Sequence, residues 1–154
     1  MTEMNKIKNT VIKAVCTSAK TGMRKKNVGT ALLMENFGIK NDAHANNKTH
    51  RQVSLLAMES IRKMQGMGLE VGPGDFAENL TTEGINLLAL PIGSKIQVGE
   101  EVILEVSQHG KECHAPCAIY YQAGTCVMPT EGIFVRVLKG GTVKVGDKIV
   151  TVSQ

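Results

Sequence analysis

Cys117 is the residue of this chain whose type and setting best suit chemistry, and it directly follows Pro116. A thiolate binds soft metals and is a strong nucleophile toward sulfur. The proline pushes Ala115 toward an extended conformation and thereby helps to fix the direction of the next side chain. Taken alone, the pair leaves two interpretations open: a reactive or metal-binding thiol, and an inert buried one.

The other cysteines raise the alternative of a zinc site. The N-terminal sequence does not predict a signal peptide, which argues against a disulfide framework. Thiolate and imidazole are natural zinc ligands, so a small zinc-stabilised β-domain is one alternative. The candidate ligands within 18 positions are Cys113, Cys117, Cys126, His109 and His114. Because no second close pair follows Cys113 and Cys117, we expect free, reduced cysteines, including Cys16.

The positive charge of the chain is concentrated near its N-terminus. Residues 1–26 contain seven Lys or Arg and a single acidic residue, although the net charge of the whole chain is only +4. The cluster centres on Lys20, Arg24, Lys25 and Lys26. It is either a solvated strand end or a site for a small anion such as a phosphate. Nucleic acid is not an expected partner, because no stacking aromatic residues are interleaved with the charge.

Length and composition indicate one globular domain spanning residues 1–154. The 154 residues are 42% hydrophobic and 21% charged, which is ordinary for a globular protein with its own core. No stretch approaches the roughly 20 apolar residues of a membrane span, so no membrane association is expected. We therefore expect a cytoplasmic protein.

The N-terminal half predicts strands followed by a helix. Alternating residues 7–18 predict a half-buried strand, residues 28–36 a second strand, and residues 41–49 a polar loop. Thr49 and Gln52 have the spacing of a capping box, and apolar residues then recur at helical spacing until Gly66. His50 and Arg51 would lie in the first turn of this helix, where free backbone amides favour an anion.

The C-terminal half contains a weak internal repeat that predicts two hairpins. Residues 82–100 and 130–147 share a Thr-Glu-Gly-Ile start and a Gly-acid pair between β-rich runs. Glycine at the first central position suits a type II′ turn. Closing these strands into a barrel would remove exposed edges. The expected fold is mainly β with a few helices, as a closed or nearly closed antiparallel β-barrel.

Several motifs, in this order, resemble the MOSC domain, named for the C-terminal domain of molybdenum cofactor sulfurases. The resemblance extends over roughly residues 8–150 and is nearest to short stand-alone members. Its strongest parts are GDFAENLTTEGI at 74–85 and the Pro116-Cys117 pair. The other parts are NDAHA at 41–45, THRQVSL at 49–55, LPIG at 90–93 and residues 135–146.

The resemblance implies a β-barrel that works with molybdenum cofactor. Cys117 is the position equivalent to the family's cysteine, so it would be either the catalytic thiol that carries sulfur or the thiolate that ligates the metal. The implied reactions are sulfur transfer, or molybdenum-dependent reduction of N-hydroxylated compounds; a non-enzymatic cofactor carrier is the alternative. Pyridoxal phosphate would belong only to a separate cysteine desulfurase, and electrons would come from a separate donor protein. Cys113 leaves open whether one thiol or two take part.

The resemblance also suggests which residues would contact the cofactor. Its pterin carries a phosphate or a nucleotide, which suits the cations, and the Asn79 amide suits a pterin edge. The predicted cofactor-binding residues are Lys25, Lys26, His44, His50, Arg51 and Asn79. Glu78 and Asp75 are interpreted as mainly architectural, because polar side chains in glycine-flanked turns bond their own backbone.

Overall fold

A computed structural model describes residues 10–20, 24–43, 45–110 and 131–152. This part of the chain is mainly β, with one α-helix, α1, at Met58–Gly66 and a short 3₁₀ turn at Leu87–Ala89. Its strands are β1 Val11–Thr17, β2 Lys26–Asn27, β3 Thr30–Met34, β4 Gly38–Ile39, β5 Val53–Ala57, β6 Leu80–Glu83, β7 Lys95–Val98, β8 Val102–His109, β9 Ile133–Lys139, β10 Gly141–Lys144 and β11 Ile149–Val152. The mainly β class and the strands predicted within 7–18 and 28–36 are confirmed.

The strands form two sheets. The larger has eight strands in the order β11-β7-β8-β9-β5-β6-β1-β2, and the smaller has the order β10-β3-β4. Every pairing is antiparallel except that of β5 with β6, in which Leu55 lies opposite Leu80. Both side chains are fully buried in the main core, together with Val15 and Leu104. β5 therefore lies at the centre of the sheet, and its N-terminal end carries His50 and Arg51.

The large sheet curves until its β11 end approaches β1. Gly146 N donates to Ile12 O at 2.8 Å, Ile12 N to Asp147 O at 2.9 Å, and Ile149 N to Thr10 O at 2.8 Å. These bonds join the turn before β11 to the start of β1, but they form only one isolated bridge, between Val11 and Lys148. The described strands do not form a closed barrel.

The helix predicted from Thr49 is wrong in its first half. Val53–Ala57 is strand β5, and α1 begins only at Met58, although it ends at Gly66 as predicted. Residues 53–56 are buried at every position because β6 and β9 flank the strand and both faces are covered. A continuous apolar run of this kind cannot be told from a buried helix by its periodicity. Gln52 does not cap a helix; its Oε1 accepts from Val137 N at 3.0 Å.

Of the two predicted hairpins, the first is confirmed and the second is wrong. β7 pairs with β8 through Val98 and Val102, and Gly99 in the connecting loop has a φ of +68°. β10 instead pairs with β3, and β11 pairs with β7. In the turn between β10 and β11, Gly146 N bonds the backbone of β1. The two strands therefore belong to different sheets.

No helix among the described residues is long and apolar enough to cross a membrane.

Candidate functional site

His50 and Arg51 meet Gln108 where the loop before β5 passes the end of β8. His50 Nε2 lies 2.7 Å from Gln108 Oε1, and Arg51 Nε donates to the same oxygen at 3.0 Å. The Arg51 guanidinium carbon also lies 5.5 Å from the centre of the Phe134 ring, within range of a cation–π contact. We call these four residues the Gln108 cluster.

The strand register explains why the Gln108 cluster forms. Gln108 and Phe134 are cross-strand partners in the β8–β9 pair, next to an irregularity in the register. Ser107 Oγ donates to His50 O at 2.6 Å and holds the loop against β8. His50 and Arg51 precede a strand, so the prediction that they lie in the first turn of a helix is wrong. Any anion binding here depends on the side chains and not on free helix amides.

The Arg51 guanidinium is suited to holding an anion. The residue is exposed, and Nε is the only nitrogen of its guanidinium group with a hydrogen bond to the described residues. The terminal nitrogens therefore keep their donors for a ligand, in the planar fork that matches phosphate and carboxylate oxygens. The Phe134 ring, only 4% exposed, supports one face of the guanidinium.

The Gln108 cluster lies beside Gly110, the last described residue before the part of the sequence that contains Cys117. Gly110 N donates to Gly132 O at 2.6 Å, and Gln108 Nε2 donates to Gly110 O at 2.9 Å. Cys117 follows Gly110 by seven positions in the sequence. The catalytic and metal-binding predictions for Cys117 lie outside the described residues, as do Cys113, His114, Cys126 and His44.

No metal cluster of three or more His, Cys, Asp or Glu occurs within the part of the chain that the structure describes. His109, the zinc candidate that is described, directs Nε2 to Leu90 O at 2.7 Å.

Lys25 differs from the rest of the basic cluster because its side chain is fully buried. Its Nζ lies 2.8 Å from Asp42 Oδ1 and donates to Ser18 Oγ at 2.9 Å. Lys26 is exposed in the edge strand β2, and Arg24 forms a long ion pair of 3.7 Å with Asp75. The structure thus splits the cluster into an internal ion pair and a set of surface cations.

Asn79 is also fully buried, and it joins three strands. Its Oδ1 accepts from Ser54 N at 3.0 Å, and its Nδ2 donates to Cys16 O at 3.1 Å. Cys16 N in turn donates to Asn79 O at 2.6 Å. The side-chain amide thus links the β5 and β1 backbones at the start of β6. A pterin contact by Asn79 stays a prediction.

Glu78 is a buried carboxyl group held in the glycine-flanked turn before β6. Its Oε2 accepts from Gly74 N and from Thr81 Oγ1, both at 2.8 Å, whereas its Oε1 has no hydrogen-bond partner in the part of the chain that the structure describes. Burial raises the pKa of Glu78 above its ordinary value of 4.5. Gly74 has a φ of +90°, and a Cβ there would collide with the Lys25 carbonyl, so the turn requires glycine.

Cys16 lies next to the same turn and is chemically quiet. Burial raises the pKa of its thiol from 9.0 to about 12, and the nearby Glu78 contributes further when it is ionised. Because the thiolate is the reactive form, this cysteine is a poor nucleophile in the folded protein.

Glu78→Gln should remove part of the pH dependence of stability. The pKa of Glu78 is raised in the folded state, so above about pH 4.5 the native protein binds more protons than the unfolded chain. Stability therefore falls as pH rises through the window between the two pKa values, with a slope of at most about 1.4 kcal/mol for each pH unit. Glutamine keeps an oxygen acceptor and does not titrate, so the variant should lose this slope.

Urea unfolding of both proteins across that pH range measures the effect. Glu70→Gln is the matched control, because Glu70 is exposed and has no bonded partner among the described residues. Identical pH slopes for wild type and Glu78→Gln would contradict the assignment of a buried carboxyl with a raised pKa.

A second feature, missed by the sequence, is a cavity of about 860 Å³ beside the start of α1. Its walls include Glu59, Glu83, Glu131 and Leu88. Glu59 accepts from Gly84 N at 3.0 Å, Glu83 pairs with Arg62 at 2.7 Å, and Glu131 pairs with Lys63. Protein groups thus already satisfy these carboxylates. Neither His50 nor Arg51 lines this cavity.

Comparison with known proteins identifies one family and several similar folds. The sequence model of the MOSC domain matches residues 40–150. YuaD from Bacillus subtilis has a TM-score of 0.75 at 19% identity, covering 95% of this chain and 97% of that one. YiiM from Escherichia coli has a TM-score of 0.62 at 18% identity, covering 94% and 70%. YiiM from Geobacillus stearothermophilus has a TM-score of 0.63 at 18% identity, covering 94% and 73%. At these identities the likeness concerns the fold alone. No curated protein sequence matches significantly.

Proposed function

Because the chain belongs to the MOSC domain family, we propose that it binds molybdenum cofactor, or a persulfide destined for that cofactor, through the Cys117 thiolate. Sulfur chemistry of this kind requires a reduced thiol, so we place the protein in the cytoplasm. Closure of the curved sheet into a barrel forms part of the same proposal, since closure would leave no free edge at β11.

The observation that carries the proposal is the position of Arg51. Its terminal guanidinium nitrogens have no hydrogen-bond partner among the described residues, its guanidinium rests on Phe134, and it belongs to the Gln108 cluster, which bonds Gly110. The thiol would then hold the molybdenum or sulfur end of the ligand, and Arg51 its phosphate end. The donor set of an exposed guanidinium fits an anionic phosphate, so the described residues are compatible with this end of the cofactor.

Two chemical roles of Cys117 follow from its thiolate. In sulfur transfer, the thiolate attacks the outer sulfur of a donor persulfide, takes up that sulfur and releases the donor's own thiolate. In the reductase form, the Cys117 thiolate would hold the molybdenum, and the cofactor would supply two-electron redox chemistry for the reduction of an N-hydroxylated compound. Two electrons and two protons from a separate donor protein would balance that reduction, whose products are the N–H compound and water.

The remaining predicted contacts divide into two groups. Lys26 and Arg51 are exposed, and we propose that they attract the anionic end of the ligand. The polar group of Lys25 is bonded to Asp42, and that of Asn79 to Ser54 and the backbone. We therefore propose that both residues support the site without direct contact with the ligand. His50 belongs to neither group, because its ring is bonded to Gln108 but is still partly exposed.

Metal analysis and a sulfane-sulfur assay test the proposal on protein produced in a cofactor-competent host. Molybdenum with pterin supports cofactor binding, and persulfide without metal supports sulfur transfer. A turnover assay with an N-hydroxylated compound then separates a reductase from a carrier. Stoichiometric zinc, or neither metal nor sulfane sulfur, would contradict the proposal.

Arg51→Ala should weaken retention of the cofactor by roughly 1.5–3 kcal/mol, the range for a hydrogen bond to a charged group. Added salt should weaken binding to the wild type more than to the variant, because much of the attraction is electrostatic. The measurement is retained molybdenum and pterin after dialysis at low and high ionic strength.

Arg62→Ala is the matched control for Arg51→Ala. Arg62 is a half-exposed arginine on α1 that pairs with Glu83. Its loss should leave retention unchanged. Equal retention in Arg51→Ala and wild type, with no dependence on salt, would show that the guanidinium is only a solvated surface group.

A further inference from the structure

The hydrogen bonds of Gln108 fix which polar atoms of His50 and Arg51 are donors toward it. Its Oε1 lies 3.0 Å from Arg51 Nε and 2.7 Å from His50 Nε2, and its Nε2 donates to Gly110 O at 2.9 Å. Arginine Nε always carries hydrogen, and a carbonyl oxygen only accepts, so these contacts set the orientation of the amide. His50 Nε2 must then be a donor toward the same oxygen.

As a consequence, His50 offers a hydrogen-bond acceptor and the adjacent Arg51 offers donors. A neutral histidine that carries its proton on Nε2 has a lone pair on Nδ1. That nitrogen has no hydrogen-bond partner among the described residues, and the terminal nitrogens of Arg51 likewise have none. Both side chains therefore present their remaining polar atoms for a ligand, one accepting and the other donating.

We propose that Gln108 is a positioning residue that fixes His50 and Arg51 as an acceptor–donor pair for an oxyanion bearing a hydrogen-bond donor. Arg51 binds the charged oxygens, and His50 Nδ1 accepts from a hydroxyl or N–H attached to the anion or adjacent to it. An oxyanion of the same size and charge that lacks a hydrogen leaves Nδ1 facing an acceptor. The identification of the natural ligand as a phosphate-bearing pterin rests on the function proposed above. The preference for an oxyanion that bears a hydrogen-bond donor depends only on the Gln108 cluster.

Inorganic phosphate and sulfate separate these cases, because at about pH 7.5 both are tetrahedral anions but only phosphate carries a proton. NMR titration of ¹⁵N-labelled protein should show phosphate binding roughly fivefold more tightly than sulfate, the factor expected for one neutral hydrogen bond. The ring-nitrogen shifts of His50 should report a proton on Nε2. Equal affinities, or a proton on Nδ1 alone, would overturn the proposal.

Gln108→Met keeps the length of the side chain and removes the acceptor. We expect roughly tenfold weaker phosphate binding, loss of the preference over sulfate and a mixture of His50 tautomers. In an Arg51→Ala background the same change should weaken phosphate binding less, because only His50 then remains for Gln108 to position. Gln97→Met is the control, since Gln97 Nε2 bonds only backbone oxygens of a turn.

A second variant at the same position tests the proposal if Gln108→Met does not fold. Gln108→Glu retains an oxygen for His50 Nε2, so the tautomer should persist while the added charge weakens anion binding. Unchanged phosphate affinity in whichever variant folds, or an unchanged His50 tautomer in Gln108→Met, would overturn the proposal. Wild-type protein without molybdenum or sulfane sulfur would instead overturn the function proposed for Cys117 and leave the phosphate measurement valid.

Discussion

Cys117→Ser is expected to abolish bound molybdenum and transferable sulfane sulfur while leaving the fold intact. Serine has nearly the volume of cysteine but lacks the soft, polarisable sulfur that binds molybdenum or carries a second sulfur atom. The core of the described strands is built from aliphatic side chains of both halves of the chain, so folding should not depend on this thiol. Metal analysis, a sulfane-sulfur assay and the melting temperature measure the three properties.

Cys16→Ser is the matched control for this experiment. Cys16 is fully buried with a thiol pKa of about 12, so we expect no nucleophilic or ligand role for it. This variant should lose some stability, because a hydroxyl replaces a buried sulfur, but it should keep metal and sulfur. Full retention of both in Cys117→Ser would contradict the proposed function, and Cys113→Ser would then identify whether the second thiol of the segment is responsible.

The parts of the fold that could be predicted are those whose pattern is local. Residues 11–17 alternate enough to identify β1, and the Gly99 turn with its flanking β-rich runs identifies the β7–β8 hairpin. β5 could not be predicted, because a strand covered on both faces has no alternation to detect. Its four buried residues, followed by the amphipathic start of α1, resemble one longer helix.

The candidate site was less predictable because it depends on contacts between distant residues. Arg51 and Gln108 are 57 positions apart and meet only because β8 and β9 pair in a shifted register. The sequence predicted a ligand contact for His50 and Arg51 from a helix start that the structure does not have, and the contact itself stays a prediction. For Lys25 the sequence did not predict the buried ion pair, and a ligand contact by this residue stays a prediction. Its neighbours in a basic cluster suggested a surface cation, and nothing local indicated the buried Asp42, which lies 17 positions further along.

Lys25→Met should lower the free energy of unfolding by about 3–5 kcal/mol, the cost of removing one partner from a buried ion pair. Methionine fills similar volume, but it leaves the Asp42 carboxylate buried without the ammonium group at 2.8 Å. Lys26→Met is the matched control, because the adjacent side chain is exposed and its loss should change stability by no more than about 0.5 kcal/mol. Urea unfolding of the three proteins measures the difference.

The same pair of variants decides how the two lysines relate to the ligand. A surface cation should contribute to anion attraction and its salt dependence, so Lys26→Met should weaken cofactor retention slightly without changing stability. Adding Asp42→Asn to Lys25→Met also removes the negative charge of the pair and should recover much of the lost stability, because replacing both partners of a buried pair costs less than breaking it. If Lys25→Met lost cofactor but kept its stability, the ion pair with Asp42 would not explain the burial of Lys25, and the sequence-based assignment of Lys25 as a ligand contact would be the better one.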